Sequence, residues 1–230
     1  MKISLRPWLH RRDLTKLAQI FGSDKAQGHS YTEHYERYFE RLRSESITLL
    51  EIGVGGWGSP TKGGASLRMW QAYFRRGKIY GIDIEEKQLP GLKIFRGSQD
   101  DEEFLTSVID QIGAPDIIID DGSHYTHHVI KSFKVLFPLL KAGGIYAIED
   151  LQSSYWPSTV NEDWNGSSDP NASHTSMTFL KNLVDGVNHA ERPAYQPSYF
   201  DRNIRSISFF HNLAFIEKGV NDEPSNVIVK

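Results

Sequence analysis

Short β-rich apolar runs alternate with segments of helical spacing along most of this chain. That alternation restricts it to a largely parallel sheet covered by helices on both faces. The runs fall at Ile47–Ile52, Lys78–Ile84, Leu92–Gly97, Asp116–Asp120 and Gly144–Asp150. Between the fourth and fifth, Val129, Ile130, Phe133, Leu136 and Phe137 recur at the spacing of one helix face. Near the end, Ile204–Phe210 and Leu213–Lys218 are separated only by His211 and Asn212, which predicts a tight antiparallel hairpin. The expected fold is α/β, with a seven-stranded, mostly parallel sheet whose last strand is reversed.

At 230 residues the chain is long enough for one ordinary α/β domain. Residues 1–45 read as an N-terminal helical cap segment of that domain, and 46–230 as its main body. From Leu151 to Thr175 the chain becomes polar and turn-rich, with Trp156 and Trp164 embedded in it. A loop of that length predicts a lid or a binding loop. No cationic field large enough for nucleic acid follows from 26 Lys+Arg against 29 Asp+Glu. No signal-peptide pattern or membrane-length apolar run appears, so a soluble cytoplasmic protein without a membrane partner is expected. The absence of cysteine excludes disulfides, thiolate nucleophiles and thiolate metal sites. Any metal must be held by carboxylate oxygen and imidazole nitrogen.

After the first run comes LLEIGVGGWG, in which Gly53, Gly55 and Gly58 satisfy G-x-G-x-x-G. A dinucleotide site needs a helix to begin at the third glycine, facing a pyrophosphate. Here SPTKGGAS intervenes before a helix can start near Ser66 or Leu67. Glu51 would repel a pyrophosphate and suit a cationic ligand. Asp83 ends the second run, where a carboxylate can accept both hydroxyls of a ribose. Gly97, Ser98 and Gln99 follow the third, where a nucleoside base would lie. Each of these polar residues reads equally as a cap or strand terminus, but at the ends of consecutive strands they favour one adenosine-containing ligand.

The fourth run ends in IIIDDGSH and the fifth in AIED, bringing Asp120, Asp121, His124, Glu149 and Asp150 to one sheet edge. Carboxylates crowded together repel one another unless a cation lies among them. Mg²⁺ suits such hard ligands, with Asp121, Glu149 and Asp150 as candidates and Asp120 facing the cofactor or capping a helix. His124 is spaced to take a proton from a hydroxyl bound at that ion. His127 and His128 read as capping or surface residues.

These segments resemble a class I S-adenosylmethionine-dependent methyltransferase. More narrowly, FGSDK (Phe21–Lys25), YTEHYERYF, LLEIGVGG, GGASLRMW, GSQ, IDDGSH, EDLQSSYWP, LVDGVNHAE and FFHNLAFIEKG are similar to the metal-dependent sugar O-methyltransferases of macrolide tailoring. The resemblance spans about Leu17 to Lys218. It implies the Rossmann-like class I methyltransferase fold and S-adenosylmethionine held by Glu51, Gly53, Gly55, Ser66, Asp83, Gly97, Ser98, Gln99, Asp120 and Asp121. It also implies Mg²⁺ on Asp121, Glu149 and Asp150, with His124 or metal-bound Asp121 as the base. Ser23, Asp24, Lys25 and Tyr31 would lie over cofactor or acceptor, although a capped helix end and a packed amphipathic helix describe them equally. Some relatives carry a large N-terminal auxiliary domain, for which this chain is expected to have no room. The implied reaction is methyl transfer to a sugar hydroxyl of a glycoside, oligosaccharide or polysaccharide precursor, by a homo-oligomer. A Mg²⁺-dependent catechol-type methyltransferase and an NAD-dependent oxidoreductase are the alternatives.

Overall fold

The computed structural model describes residues 6–161, 164–192 and 194–226. Residues 1–5 of the expected cap segment, Glu162 and Asp163 of the expected lid loop, and residues 227–230 of the main body lie outside the described residues. The chain divides into two compact units, the first ending at Pro115 and the second beginning at Asp116.

The first unit contains α1 (Arg6–Leu9), α2 (Leu14–Phe21), α3 (Asp24–Gln27), α4 (Thr32–Phe39), β1 (Thr48–Ile52), α5 (Ala65–Tyr73), β2 (Lys78–Asp83), β3 (Lys93–Arg96) and α6 (Glu102–Ile112). Strand β1 pairs in parallel with β2, which pairs in parallel with β3, so Ile52 lies opposite Ile82 and Asp83 opposite Arg96. The carboxyl ends of all three strands therefore share one edge. Helix α2 starts because Asp13 accepts the Lys16 N–H at 2.8 Å, and it stops at Gly22, which takes the left-handed conformation (φ 73°). Between these caps it buries Leu14, Leu17 and Ala18. An aromatic cluster forms the core beside it. Trp70 of α5 meets Tyr35 and Phe39 of α4 edge-on, at centroid distances of 5.2 and 5.6 Å. Each such side chain, fully buried, contributes roughly 1.5–3 kcal/mol.

The second unit contains β4 (Ile117–Asp120), α7 (Thr126–Leu136), β5 (Ile145–Ile148), α8 (Ser176–Val187), α9 (Tyr199–Asn203), β6 (Ile204–Phe210) and β7 (Leu213–Lys218). Strands β4 and β5 are parallel and buried at every residue, as the apolar runs III and IYAI require, with Asp120 closing β4. Strand β7 runs antiparallel to both β5 and β6, and the β6–β7 hairpin has the bounds read from the sequence. Helix α7 covers β5 by packing Phe133 against Tyr146, 5.0 Å between ring centroids.

The strand order is β3-β2-β1-β4-β5-β7-β6, the expected seven-stranded, mostly parallel sheet with β7 reversed. No helix among the described residues is long and apolar enough to cross a membrane.

Candidate functional site

In the first unit the glycine-rich turn doubles back before the helix begins. Helix α5 starts at Ala65, just ahead of the expected Ser66 or Leu67, with Gly64 as its N-cap. Gly56 and Gly63 make the fold-back possible. Both have positive φ, and a Cβ at Gly56 would overlap the Lys62 backbone while one at Gly63 would overlap Gly55. The Gly64 N–H closes the loop on the Val54 carbonyl at 2.7 Å. With the helix start this far beyond Gly58, the arrangement lacks the feature that a dinucleotide fingerprint requires.

Asp83 ties this turn to β2. Its Oδ2 accepts the Val54 N–H at 3.0 Å and its Oδ1 accepts the Glu85 N–H at 2.8 Å. Each carboxylate oxygen retains acceptor capacity for a ligand hydroxyl. Gly97 donates to the Asp83 carbonyl at 3.0 Å, Ser98 donates to Asp100 at 2.5 Å, and Gln99 is buried. Ser66 occupies the first turn of α5 and is half-buried.

Glu51 has a different setting from the ligand contact expected of it. Its side chain and that of Lys25 are both 0% exposed and lie 3.3 Å apart, and the Trp70 indole N–H donates to Glu51 at 3.0 Å. Beneath the glycine turn, Glu51 thus anchors α3 and α5 to β1. Ser23 caps α3 by accepting the Lys25 N–H, Asp24 is exposed, and buried Tyr31 stacks on His29 at 4.9 Å. Of the SDK segment, these contacts realise the capped-helix reading.

In the second unit Asp121, His124 and Asp150 converge. One ligand-capable atom from each lies within 4.8 Å of the other two, and all three residues are half-buried. His124 Nε2 is 3.5 Å from Asp150 Oδ2. Glu149, expected beside them, stands outside this group of three and is buried; its N–H continues the ladder to the Asp120 carbonyl at 2.9 Å. At Asp150 the chain leaves the extended conformation (φ 54°, ψ 40°). His124 is left-handed as well, with φ 59°. Such geometry costs a non-glycine residue about 1–3 kcal/mol and persists only where its surroundings hold it.

Ser153 supplies that hold, and sequence reasoning missed it. Its buried hydroxyl donates to the His124 carbonyl at 2.9 Å and to the Asp150 carbonyl at 3.1 Å, while its N–H also reaches the Asp150 carbonyl at 3.2 Å. A serine three residues beyond the acid of IED is the turn signal that could have revealed it. The next residue is tied in turn to the hairpin, since the Leu151 N–H donates to the Asn212 carbonyl at 3.1 Å. Asp120 is buried and accepts the Ser132 hydroxyl at 2.5 Å, so it braces α7.

The set fits a hard divalent cation. Two carboxylates could ligate Mg²⁺, which keeps waters in its remaining positions, and an imidazole prefers proton chemistry to that ion. Beyond it, residues Leu151–Tyr155 form a 3₁₀ turn, and Trp156 pairs with Trp164 at 4.9 Å. Ser154 anchors this segment through a buried 2.6 Å hydrogen bond to Ser176 of α8.

In sequence and fold the chain is similar to proteins named as O-methyltransferases. It is 46% identical over 216 residues to the 8-demethyl-8-alpha-L-rhamnosyl tetracenomycin-C 2'-O-methyltransferase of Streptomyces olivaceus, covering 90% of this chain and 55% of that protein. It is also 46% identical over 219 residues to the mycinamicin VI 2''-O-methyltransferase of Micromonospora griseorubida, covering 92% and 54%. Among solved structures it superposes with a TM-score of 0.86 on the MycE methyltransferase of the mycinamycin pathway, whose crystals contain Mg, SAH and mycinamycin VI. That identity is 44%, over 92% of this chain and 55% of the other. The chain spans about half the length of the curated relatives it matches. No protein-family model matches it.

Proposed function

We propose that this chain carries out Mg²⁺-dependent methyl transfer from S-adenosylmethionine to a sugar hydroxyl of a glycosylated acceptor. The observation that carries the reading is the convergence of Asp121, His124 and Asp150 after β4 and β5, the last two on left-handed backbone. The reactions named for its relatives support it. When bound, S-adenosylmethionine supplies the sulfonium methyl group and Mg²⁺ supplies Lewis acidity at the acceptor oxygens.

Asp121 and Asp150 would hold the cation, with the buried Glu149 as the further carboxylate expected of the set. His124 takes the proton from the reacting hydroxyl onto an imidazole nitrogen. Ser153 keeps the imidazole and Asp150 in register through their backbones. The free acceptor positions of Asp83 take the ribose hydroxyls, and the turn at Gly53 and Gly55 lets the backbone approach the cofactor. Gly97, Ser98, Gln99, Ser66, Asp120 and Asp121 border it, while Glu51 acts by supporting the turn from below. Much of the rate comes from holding two reactants in line.

Residues 1–45 serve as a helical cap on a methyltransferase domain over 46–230, with 151–175 as its lid. The half-exposed Trp156 and Trp164 provide an aromatic face for a sugar ring. A cytoplasmic homo-oligomer is the corresponding reading of the whole enzyme.

Incubating the purified chain with S-adenosylmethionine and a macrolide glycoside, with Mg²⁺ or with EDTA, tests the reading. Adenosylhomocysteine and an acceptor heavier by one methylene should appear together, and only with Mg²⁺. Methyl transfer undiminished by EDTA would overturn the metal assignment. Failure to bind adenosylhomocysteine in a calorimetric titration would overturn the cofactor assignment.

A further inference from the structure

A second concave site lies in the first unit, away from the glycine turn. It is a cavity of about 290 Å³ whose walls come from three separate stretches of chain. Arg11 and Arg12 come from the segment before α2, and Arg43 and Ser44 from the segment before β1. Tyr73, Arg75 and Arg76 come from the end of α5 and the link to β2. Both strands are approached from their amino ends here, whereas the glycine turn follows the carboxyl end of β1. One five-residue strand separates the two edges, about 17 Å at the usual rise per residue.

Five guanidinium groups around one cavity repel one another, and the nearby carboxylates Glu36 and Glu40 act on Arg43. Arg43 has Glu40 at 3.8 Å, an exposed partner within the same short helical stretch. Arg11 lies over the Trp8 ring at 5.3 Å. Among the described residues, no carboxylate comes within ion-pair distance of Arg12, Arg75 or Arg76. This concentration of positive charge occurs in a chain whose formal net charge is -3.

Tyr73 is an independent indication. The residue is fully buried, and its hydroxyl meets no hydrogen-bond partner. Arg43 is near its ring, 5.9 Å from the centroid, and acts on the hydroxyl from outside good hydrogen-bond geometry. A buried donor left unmade costs free energy that a bound acceptor would recover. Burial, then the Glu36 carboxylate, raise the phenol well above its ordinary range against the opposing pull of Arg43, so the group remains a neutral donor.

Guanidinium forks match phosphate oxygens in bidentate pairs, and a diphosphate carries enough charge to engage several forks at once. We propose that this cavity binds a diphosphate group, as free pyrophosphate or as part of a nucleoside diphosphate, at a site distinct from the candidate methyl-transfer edge. Arg12, Arg75 and Arg76 would close on the phosphate oxygens, with the Tyr73 and Ser44 hydroxyls as uncharged donors.

Calorimetric titration of the full chain in Mg²⁺-free buffer near 0.15 M salt tests this, using sodium pyrophosphate, ADP, UDP and sodium sulfate as probes. Pyrophosphate should bind at least tenfold more tightly than sulfate. Tighter binding of ADP or UDP than of pyrophosphate assigns the site to a nucleotide, and equal binding assigns it to the diphosphate alone. Arg12→Ala/Arg75→Ala, at two exposed positions, should weaken pyrophosphate binding at least tenfold while leaving methyl transfer unchanged. Tyr73→Phe should weaken it severalfold without lowering the melting temperature, because the hydroxyl it removes had no partner. Pyrophosphate binding no tighter than sulfate, or undiminished in the double variant, overturns the proposal. So does a double variant that changes only the oligomeric state, which would make the cavity a protein interface.

Discussion

Replacing Ser153 by alanine removes one hydroxyl and should loosen both halves of the candidate metal centre. The hydroxyl is shared between the carbonyls of His124 and Asp150, both on left-handed backbone. A serine hydroxyl has one proton to share between the two carbonyls, so about 1 kcal/mol holding the two residues in place is lost. The backbone strain that the bonds sustain favours relaxation away from the site. With most of that energy spent on keeping the site assembled, Mg²⁺ affinity falls about fivefold, since 1.4 kcal/mol is a factor of ten. Mg²⁺ titration by calorimetry, beside urea unfolding of the same variant, is the assay. Ser153→Thr retains the hydroxyl and should recover much of the affinity. A variant that loses stability but binds Mg²⁺ within twofold of the parent would refute the reasoning, reducing Ser153 to a fold element.

Three further outcomes are expected. His124→Ala should lower turnover about 10²-fold or more with adenosylhomocysteine affinity nearly unchanged, and full activity in that variant would remove the imidazole from the mechanism. Lys25→Met leaves the Glu51 carboxylate buried without its cation, and should cost about 3–5 kcal/mol in urea unfolding. Lys25→Met/Glu51→Gln should recover much of this loss, and a double variant no more stable than the single one would contradict the pairing. Burial of Asp201 acts to raise its pKa, but hydrogen bonds from the Ser198 N–H and the Tyr195 hydroxyl help hold it below the ordinary 3.8. Its contribution to stability is therefore present above the unfolded-state pKa and lost as pH falls through the lower folded value. Asp201→Asn should flatten stability against pH in that acid range, and an unchanged acid limb would dismiss the linkage.

The sheet was legible because its strands are short unbroken apolar runs and because only two residues separate the final pair. Helix α5 was placed to within a residue or two, since the polar stretch after Gly58 cannot itself form an apolar helix face. Contacts between residues distant in sequence were not legible. Nothing local marks Lys25 as the partner of Glu51, and that buried pair changes Glu51 from a ligand candidate into a support. Composition likewise concealed the arginine-lined cavity, whose five cations come from three stretches of a mildly acidic chain. At the acidic edge, spacing put forward Asp121, Glu149 and Asp150 with His124 nearby, whereas the structure groups Asp121, His124 and Asp150. Spacing could not show that the chain turns left-handed at Asp150 while Glu149 still follows the strand. The turn-rich stretch after Leu151 read as a lid or binding loop, and the tryptophan pair and the serine contact to α8 within it left no local signal.

The reversed direction of β7 has a consequence beyond closing the sheet. A parallel neighbour to β5 would begin at the opposite end and need a long return over one face, whereas an antiparallel one begins where β5 finishes. The compact bend at His211 and Asn212 is thereby delivered beside the Asp150 segment, and the Asn212 carbonyl grips the very next residue, Leu151. The hairpin acts as a buttress for the acidic edge. A one-residue insertion in its tip, far from Asp150 along the chain, should be felt in cation binding before it is felt in the folding of the sheet.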